Sequence, residues 1–217
     1  MDIRTVGVVG AGQMGNGIAH VFALAGYEVR LNDVDEARID DALERIAGNI
    51  DRQIGRGAVS EAEKAEALGR ISKTVDLAPV AQCDLVIEAA TENEAIKREI
   101  FAGLAPHLAP RTILTSNTSS ISITRLASTT DRPERFMGFH FMNPVPLMSL
   151  VELIRGIATD DETFRTLEAV VASLGKTAAT AEDFPAFIVN RVLVPTTNDA
   201  IYTLYEGVGS VESIDTA

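Results

Sequence analysis

The 217-residue chain has 31 acidic and 19 basic side chains, which give a formal charge of −12 with histidine neutral. This acidic excess argues against a nucleic-acid partner and a polybasic membrane anchor, because both need surplus Lys and Arg. No apolar run approaches the roughly 18 residues that predict a membrane span. Cys83 is the only cysteine, so the sequence excludes an intramolecular disulfide and a cysteine-rich metal site. We predict a soluble cytoplasmic protein with no metal centre.

Short apolar runs alternate along the chain with segments of helical period. A strand is predicted at residues 6–9, then a helix that ends at Gly26, a strand at 28–32 and a polar helical region at 35–69 that breaks near Gly55 and Gly57. Further strands are predicted at 71–75, 85–87, 112–115, 135–141, 150–154 and 176–181, with helices around residues 96–104 and 164–174. Strands that alternate with helices need crossover connections, so the sheet should be mostly parallel and covered on both faces.

The pattern changes at Pro185, after which residues 187–205 read as one long apolar helix that Pro195 should kink. Residues 211–217 look like the opening of another helix, capped by Ser210. We therefore predict a doubly wound α/β (Rossmann) domain over residues 1–184, followed at 185–217 by the start of an all-helical second domain. We expect this second domain to be incomplete, because the chain stops inside a helix.

A glycine-rich motif, Gly10-Ala-Gly-Gln-Met-Gly15, follows the first predicted strand and opens the first predicted helix. In this context Gly10 permits a tight turn, Gly12 lets the backbone approach a pyrophosphate, and Gly15 lets the helix pack on the sheet. The helix N-terminus adds a favourable dipole for phosphate groups. The motif predicts a dinucleotide site that also includes Gln13 and Met14.

Asp33 lies 18 residues beyond Gly15, at the end of the second predicted strand. A carboxylate there can accept hydrogen bonds from ribose hydroxyls and repels a 2′-phosphate, so the sequence favours NAD over NADP. Asp33 could also cap the helix that follows. The two roles are compatible.

Three further polar features lie in or just after later predicted strands. The loop at residues 116–120 is rich in hydroxyls, which by composition alone predicts no more than a turn. His140 lies among aromatic residues, where a histidine is commonly part of the core. Glu152 interrupts an apolar strand, which is costly unless the carboxylate is paired. Antiparallel pairing of the two strands through the turn at 143–146 would bring Glu152 beside His140, as a general base and its orienting acid require.

Taken together and in order, the motifs at residues 10–15, 116–120, 138–146, 151–152 and 187–191 resemble the L-3-hydroxyacyl-CoA dehydrogenase family, which includes bacterial 3-hydroxybutyryl-CoA dehydrogenases. The resemblance implies that His140 is the catalytic base and Glu152 its partner. It also implies that Ser119 and Asn190 contact the C3 oxygen of the substrate. The cofactor contacts that it implies are Asp33, Glu92, Lys97, Asn117 and Asn143.

By this resemblance the protein oxidises L-3-hydroxyacyl-CoA to 3-ketoacyl-CoA with NAD, in fatty-acid or butanoate metabolism, and forms a homodimer through its helical domain. Arg52, Arg56 and Lys64 could meet the phosphates of coenzyme A, and they could equally be solvated surface charges. Two alternatives stay open. One is a related dehydrogenase of a small free hydroxy acid, such as a sugar acid or carnitine; the other is a non-enzymatic, crystallin-like NAD-binding protein.

Overall fold

One eight-stranded sheet organises the chain, and the computed structural model describes all 217 residues. The strands are β1 (Thr5–Val9), β2 (Glu28–Asn32), β3 (Ile71–Thr74), β4 (Leu85–Glu88), β5 (Ile113–Ser116), β6 (Phe136–Phe141), β7 (Leu150–Arg155) and β8 (Thr177–Glu182). Their spatial order is β3-β2-β1-β4-β5-β6-β7-β8, and every neighbouring pair is parallel except β6 with β7. The predicted doubly wound, mostly parallel sheet is confirmed.

Helices cover both faces of this sheet. They are α1 (Gln13–Leu24), α2 (Glu36–Ile54), α3 (Glu61–Gly69), α4 (Leu77–Ala81), α5 (Glu94–Leu104), α6 (Ile123–Ala127), α7 (Asp161–Ser173), α8 (Val189–Tyr205) and α9 (Val211–Thr216). Helices α1, α2 and α7 contribute to a core cluster of 27 buried residues, while α4, α5 and α6 contribute to a second cluster of 15. Strands buried from both sides explain the continuous apolar runs in the sequence. None of the helices has the length and hydropathy to cross a membrane.

Local signals fix several helix boundaries. The polar helical region breaks around Gly55 and Gly57, as predicted, and Gly57 has a φ of 72°. Asp35 caps α2 by accepting a hydrogen bond from the N–H of Ala37 at 3.0 Å. The suggestion that Asp33 caps this helix is therefore wrong. Helices α4 and α6 have only five residues each, too few for a helical period to show in the sequence.

The connection from β8 to α8 is held in place by helix α6 although it contains no regular structure. Asp183 accepts hydrogen bonds from the N–H groups of Ile123 and Thr124 at 2.9 and 2.8 Å, which fastens the connection to the start of α6. Ala186 and Phe187 have φ values of 69° and 50°, an uncommon backbone region for residues other than glycine. The division of the chain at residue 184 stays a prediction.

Helix α8 continues through Pro195, which has no backbone N–H and so cannot make the usual hydrogen bond along the helix. None of its residues is buried. Large apolar side chains on it are exposed, namely Val192, Leu193, Val194, Ile201, Tyr202, Leu204 and Tyr205. The helix therefore presents an extensive apolar surface.

The packing of α1 on the glycine turn generates a stability prediction. A Cβ atom on Gly15 would lie 1.7 Å from the carbonyl oxygen of Gly10, so Gly15→Ala should force the backbone apart and lower the free energy of unfolding by about 1 to 3 kcal/mol or more. Gly48 is the control, because it lies inside α2 and a Cβ added there would meet nothing within 4 Å. Gly48→Ala should raise stability by up to about 1 kcal/mol. Urea unfolding of both variants measures the difference, and a neutral Gly15→Ala would contradict this packing.

Candidate active site

The turn from β1 to α1 leaves an open approach to the backbone. Gly10 has a φ of 101°, and a Cβ there would come within 2.5 Å of the Cα of Ala90. At Gly12, by contrast, a Cβ would meet nothing within 4 Å. Helix α1 begins at this point without a side-chain cap, so its first N–H groups are available to an anion. The chemistry of this turn fits a dinucleotide pyrophosphate.

Asp33 lies directly against the same turn. Its Oδ2 accepts a hydrogen bond from the N–H of Ala11 at 2.9 Å, and its Oδ1 accepts one from the N–H of Val34 at 2.8 Å. The nearest cation is the guanidinium of Arg38, at 3.8 Å from Oδ1 and largely exposed. The carboxylate is thus held at the end of β2, where a ribose bound on the turn would be within its reach.

A cleft of about 680 Å³ opens beside the turn, at the carboxyl ends of the central strands. It is the position at which doubly wound sheets bind ligands. Most of the sequence-predicted site residues line it, namely Gly12, Gln13, Met14, Glu92, Lys97, Asn117, Ser119, His140, Asn143 and Asn190. The remaining predicted site residues do not line this cleft; they are Gly10, Gly15, Asp33 and Glu152.

His140 and Glu152 face each other across the antiparallel pair of β6 and β7. His140 Nδ1 and Glu152 Oε2 are 2.8 Å apart, and the carboxylate is fully buried. The other carboxylate oxygen, Oε1, accepts hydrogen bonds from the N–H groups of Ile188 and Val189 at 3.0 and 2.9 Å. One carboxylate therefore joins the histidine to the N-terminus of α8. Phe187 adds an edge-on contact with the imidazole, with the ring centroids 6.1 Å apart.

The surroundings of Glu152 keep it ionised. Burial alone would raise the pKa of this carboxyl group, but the hydrogen bonds from His140, Val189 and Ile188 together hold the pKa below its ordinary value. An ionised carboxylate can only accept, so Nδ1 of His140 carries a proton and donates it to Glu152. In the neutral imidazole, Nε2 is then left with a lone pair that can take a proton from a molecule in the cleft.

Glu92 organises the hydroxyl-rich loop after β5. Its Oε1 accepts hydrogen bonds from the hydroxyls of Thr118, Ser119 and Ser120 at 2.7, 3.0 and 3.2 Å, and from the N–H of Ser119 at 2.8 Å. Burial opposes ionisation of Glu92, but the hydrogen bonds from Thr118 and Ser119 and the nearby charge of Lys97 outweigh it, so its pKa is lowered. The side-chain amide of Asn190 donates to the carbonyl of Ser119 at 3.1 Å. The structure thus brings Ser119 and Asn190 together on one side of the cleft.

The two asparagines are anchored at other edges of the cleft. Asn117 Oδ1 accepts a hydrogen bond from the N–H of Phe141 at 2.8 Å, immediately after His140. Asn143 Oδ1 accepts one from the side chain of Gln13 at 3.2 Å, across the cleft mouth. The ends of β5 and β6 are therefore linked to each other and to α1.

Sequence reasoning missed Glu88, the last residue of β4. It is fully buried and accepts hydrogen bonds from the ammonium of Lys97 at 2.5 Å, the hydroxyl of Ser116 at 2.8 Å and the N–H of Ala90 at 2.9 Å. Lys97 is itself only 1% exposed, although it borders the cleft. The argument used for Glu152 would also have pointed to Glu88, because a carboxylate at the end of an apolar strand is costly to bury unless it is paired.

A second groove of about 670 Å³ lies between α1, α2 and the loop from β6 to β7. It meets the cleft at Gln13 and Asn143, which line both. Arg45 and Arg52 line the groove together with the acidic Asp41 and Glu44, and Arg56 lines a smaller pocket beside it. Lys64, the third cation considered from the sequence, pairs instead with Asp51.

Comparison with known proteins identifies the family. The model of the 3-hydroxyacyl-CoA dehydrogenase NAD binding domain matches residues 5–184, and that of the C-terminal domain matches residues 187–217. The 3-hydroxybutyryl-CoA dehydrogenase of Bradyrhizobium diazoefficiens is 62% identical over 215 residues, which are 99% of this chain and 73% of that protein. A probable 3-hydroxybutyryl-CoA dehydrogenase of Bacillus subtilis is 47% identical over 99% of this chain and 75% of its own length.

The fold agrees with that assignment. The crystal structure of (S)-3-hydroxybutyryl-CoA dehydrogenase from Ralstonia eutropha superposes with a TM-score of 0.94 at 46% identity, covering 98% of this chain and 75% of that one. Similarity of sequence and of fold therefore extends over nearly the whole chain. The chain belongs to the 3-hydroxyacyl-CoA dehydrogenase family, with its NAD-binding domain over residues 5–184.

Proposed function

We propose that this protein catalyses the reversible NAD-dependent oxidation of an L-3-hydroxyacyl-CoA to the 3-ketoacyl-CoA. The observation that carries the proposal is the pair of His140 and Glu152, because His140 lines the same cleft as Gly12 and Ser119. The names of the relatives support a short acyl chain such as hydroxybutyryl. Fatty-acid or butanoate metabolism remains a prediction.

The cofactor would be held by groups already in place. The open backbone at Gly12 and the uncapped start of α1 fit the pyrophosphate, and Asp33 fits the adenosine ribose. When bound, NAD⁺ supplies the hydride acceptor. We also assign Glu92, Lys97, Asn117 and Asn143 to its nicotinamide side, since all four line the cleft near His140.

The acid–base chemistry belongs to His140. Glu152 holds the imidazole with a proton on Nδ1, so Nε2 accepts the proton of the substrate's 3-hydroxyl as that alcohol is oxidised. The imidazolium formed in this step faces an ionised carboxylate, which stabilises it. In the reverse direction Nε2 returns the proton to the forming alcohol. Ser119 and Asn190 position the reacting oxygen from the other side of the cleft.

The second groove supports a coenzyme A ester over a small free acid. Its guanidinium groups, Arg45 and Arg52, suit phosphates, and Arg56 extends the cationic edge. The groove joins the catalytic cleft at Asn143, so one extended ligand can occupy both. A free sugar acid or carnitine would fill only the cleft.

Three other parts of the proposal are independent of the chemistry. We propose a domain division at residue 184, a homodimer that covers the exposed apolar side chains of α8, and a cytoplasmic location, with which the free buried Cys83 is consistent. Nucleic acid and membranes are not expected partners, given the charge of −12.

A substrate comparison tests the proposed function. With NADH, the protein should reduce acetoacetyl-CoA and leave free acetoacetate, keto sugar acids and dehydrocarnitine nearly untouched, as followed by absorbance of NADH. Faster reduction of a free acid would instead support the alternative of a dehydrogenase that acts on a small free hydroxy acid. NADH binding with no turnover of any of these compounds would support the crystallin-like alternative.

The position of Asp33 predicts that the protein prefers NADH to NADPH. NADH should bind more tightly than NADPH by well over tenfold, about 1.4 kcal/mol or more, because the carboxylate repels a 2′-phosphate. Asp33→Ser should narrow the difference. Asp35→Asn is the matched control, since Asp35 only caps α2, and it should leave the preference unchanged. Fluorescence titrations measure both affinities; equal values in the unmodified protein would overturn the role of Asp33.

The two roles of Glu152, in catalysis and in stability, can be separated by two substitutions. In Glu152→Gln the amide oxygen can keep the hydrogen bonds from Ile188 and Val189, while the amide N–H turns to His140 and forces its proton onto Nε2. Turnover should fall by roughly 10² to 10⁴, because the wrong tautomer cannot accept a proton. The free energy of unfolding at neutral pH should fall modestly, because the stabilising charge is gone while the two backbone hydrogen bonds remain.

Glu152→Ala is the contrasting variant. It leaves two backbone N–H groups without their acceptor, so the free energy of unfolding should fall by about 1 to 3 kcal/mol relative to Glu152→Gln. Because the folded pKa of Glu152 is lowered, its charge stabilises the fold above the ordinary glutamate pKa, and this contribution is lost as pH falls through the lower folded pKa. Glu152→Gln should lack that part of the acid destabilisation. Near-normal turnover of Glu152→Gln would remove Glu152 from the mechanism.

A further inference from the structure

Two carboxylates compete for one buried ammonium beneath the cleft. Lys97 Nζ lies 2.5 Å from Glu88 Oε2 and 3.8 Å from Glu92 Oε2. Glu88 and Lys97 are almost completely buried, whereas the Glu92 side chain is 44% exposed. A buried ion pair is weak support for a purely stabilising role, because desolvation offsets most of its attraction. The position of the pair under the cleft needs another explanation.

We propose that Glu88 is a positioning residue that holds the Lys97 ammonium away from Glu92, and that this leaves Glu92 free to organise the loop carrying Ser119. The effect on catalysis rests on the proposed function. The effect on the loop does not, because it follows from the contacts of Glu88, Lys97 and Glu92 alone.

Glu92 is the shared acceptor of the loop. Its Oε1 accepts four hydrogen bonds from Thr118, Ser119 and Ser120. Without the Glu88 charge, Glu92 is the only carboxylate near the Lys97 ammonium, and closing the 3.8 Å gap needs a movement of about 1 Å to reach hydrogen-bond distance. The Lys97 stem is packed in the interior, so the half-exposed Glu92 is the group that moves. Because the two oxygens belong to one rigid carboxylate, moving Oε2 toward Lys97 also carries Oε1, which accepts from Ser119, out of position.

The other contacts of Glu88 place it at the centre of this edge of the sheet. Its carboxylate also accepts from Ser116, the last residue of β5, and from Ala90, and its own carbonyl accepts the N–H of Asn117 at 2.8 Å. These hydrogen bonds fix the start of the loop at Ser116 and Asn117, while Glu92 fixes residues 118–120. Glu88 therefore acts on the loop at both ends without touching the cleft.

The test compares Glu88→Gln, Lys97→Met and the double variant in the full chain. Hydrogen–deuterium exchange should rise in the peptide covering residues 116–122 of Glu88→Gln, with β1 and β2 unchanged. It should return most of the way to the unmodified level in Glu88→Gln/Lys97→Met, because no ammonium remains to draw Glu92 away, although an amide still replaces the carboxylate that accepts from Ser116 and Ala90. Thr115→Val is the control: it removes a buried hydrogen bond to the carbonyl of Val86 and touches neither charge, so the loop should stay protected.

Turnover gives the second readout. Glu88→Gln should lower kcat/KM for acetoacetyl-CoA by about tenfold in the unmodified background and by less than about threefold in the Lys97→Met background. Unchanged loop exchange in Glu88→Gln, a uniform rise across the sheet, or a double variant as exposed as Glu88→Gln would each overturn the proposal. If the unmodified protein does not turn over acetoacetyl-CoA, the proposed function fails while the exchange measurement still decides the role of Glu88.

Discussion

The site depends on the hydrogen bonds that the Glu152 carboxylate accepts. One of its oxygens accepts from the imidazole of His140, and the other accepts from the first backbone N–H groups of α8. The same carboxylate thus contacts both the sheet and the start of α8, so it fixes the position of His140 relative to Asn190. Because three donors hold the carboxylate, it remains ionised inside the protein despite the cost of burial.

This arrangement follows from a single inversion in the sheet. Strands β1 to β6 are all parallel to their neighbours among themselves and bring their carboxyl ends to one edge, while β7 returns antiparallel to β6. The reversal sets Glu152 opposite His140, and the connecting loop supplies Asn143 to the cleft mouth. Glu88 and Glu92 occupy the same edge, and each is satisfied by donors from neighbouring strands and loops. The acidic side chains of the site thus act as fixed acceptors that set the positions of the groups around the cleft.

Much of this could be predicted from the sequence where local chemistry decides the outcome. The glycine turn, the acid at Asp33 and the cost of burying Glu152 are properties of short segments, and they locate the cleft. The roles assigned to Ser119 and Asn190 came only from family resemblance, because their proximity depends on the path from β8 to α8. That path uses left-handed backbone at Ala186 and Phe187, which neither residue type predicts. Glu88 escaped notice because its partner Lys97 reads as an ordinary helix-surface lysine.

The most direct test of the central claim is the protonation of the His140 ring, observed by long-range proton–nitrogen NMR at a pH where the ring is neutral. Only three histidines are present, so His20→Gln and His107→Gln variants complete the assignment. The hydrogen bond to Glu152 predicts a proton on Nδ1 and a bare Nε2, and Glu152→Gln should reverse the two. A bare Nδ1 in the unmodified protein would show that Glu152 does not orient His140.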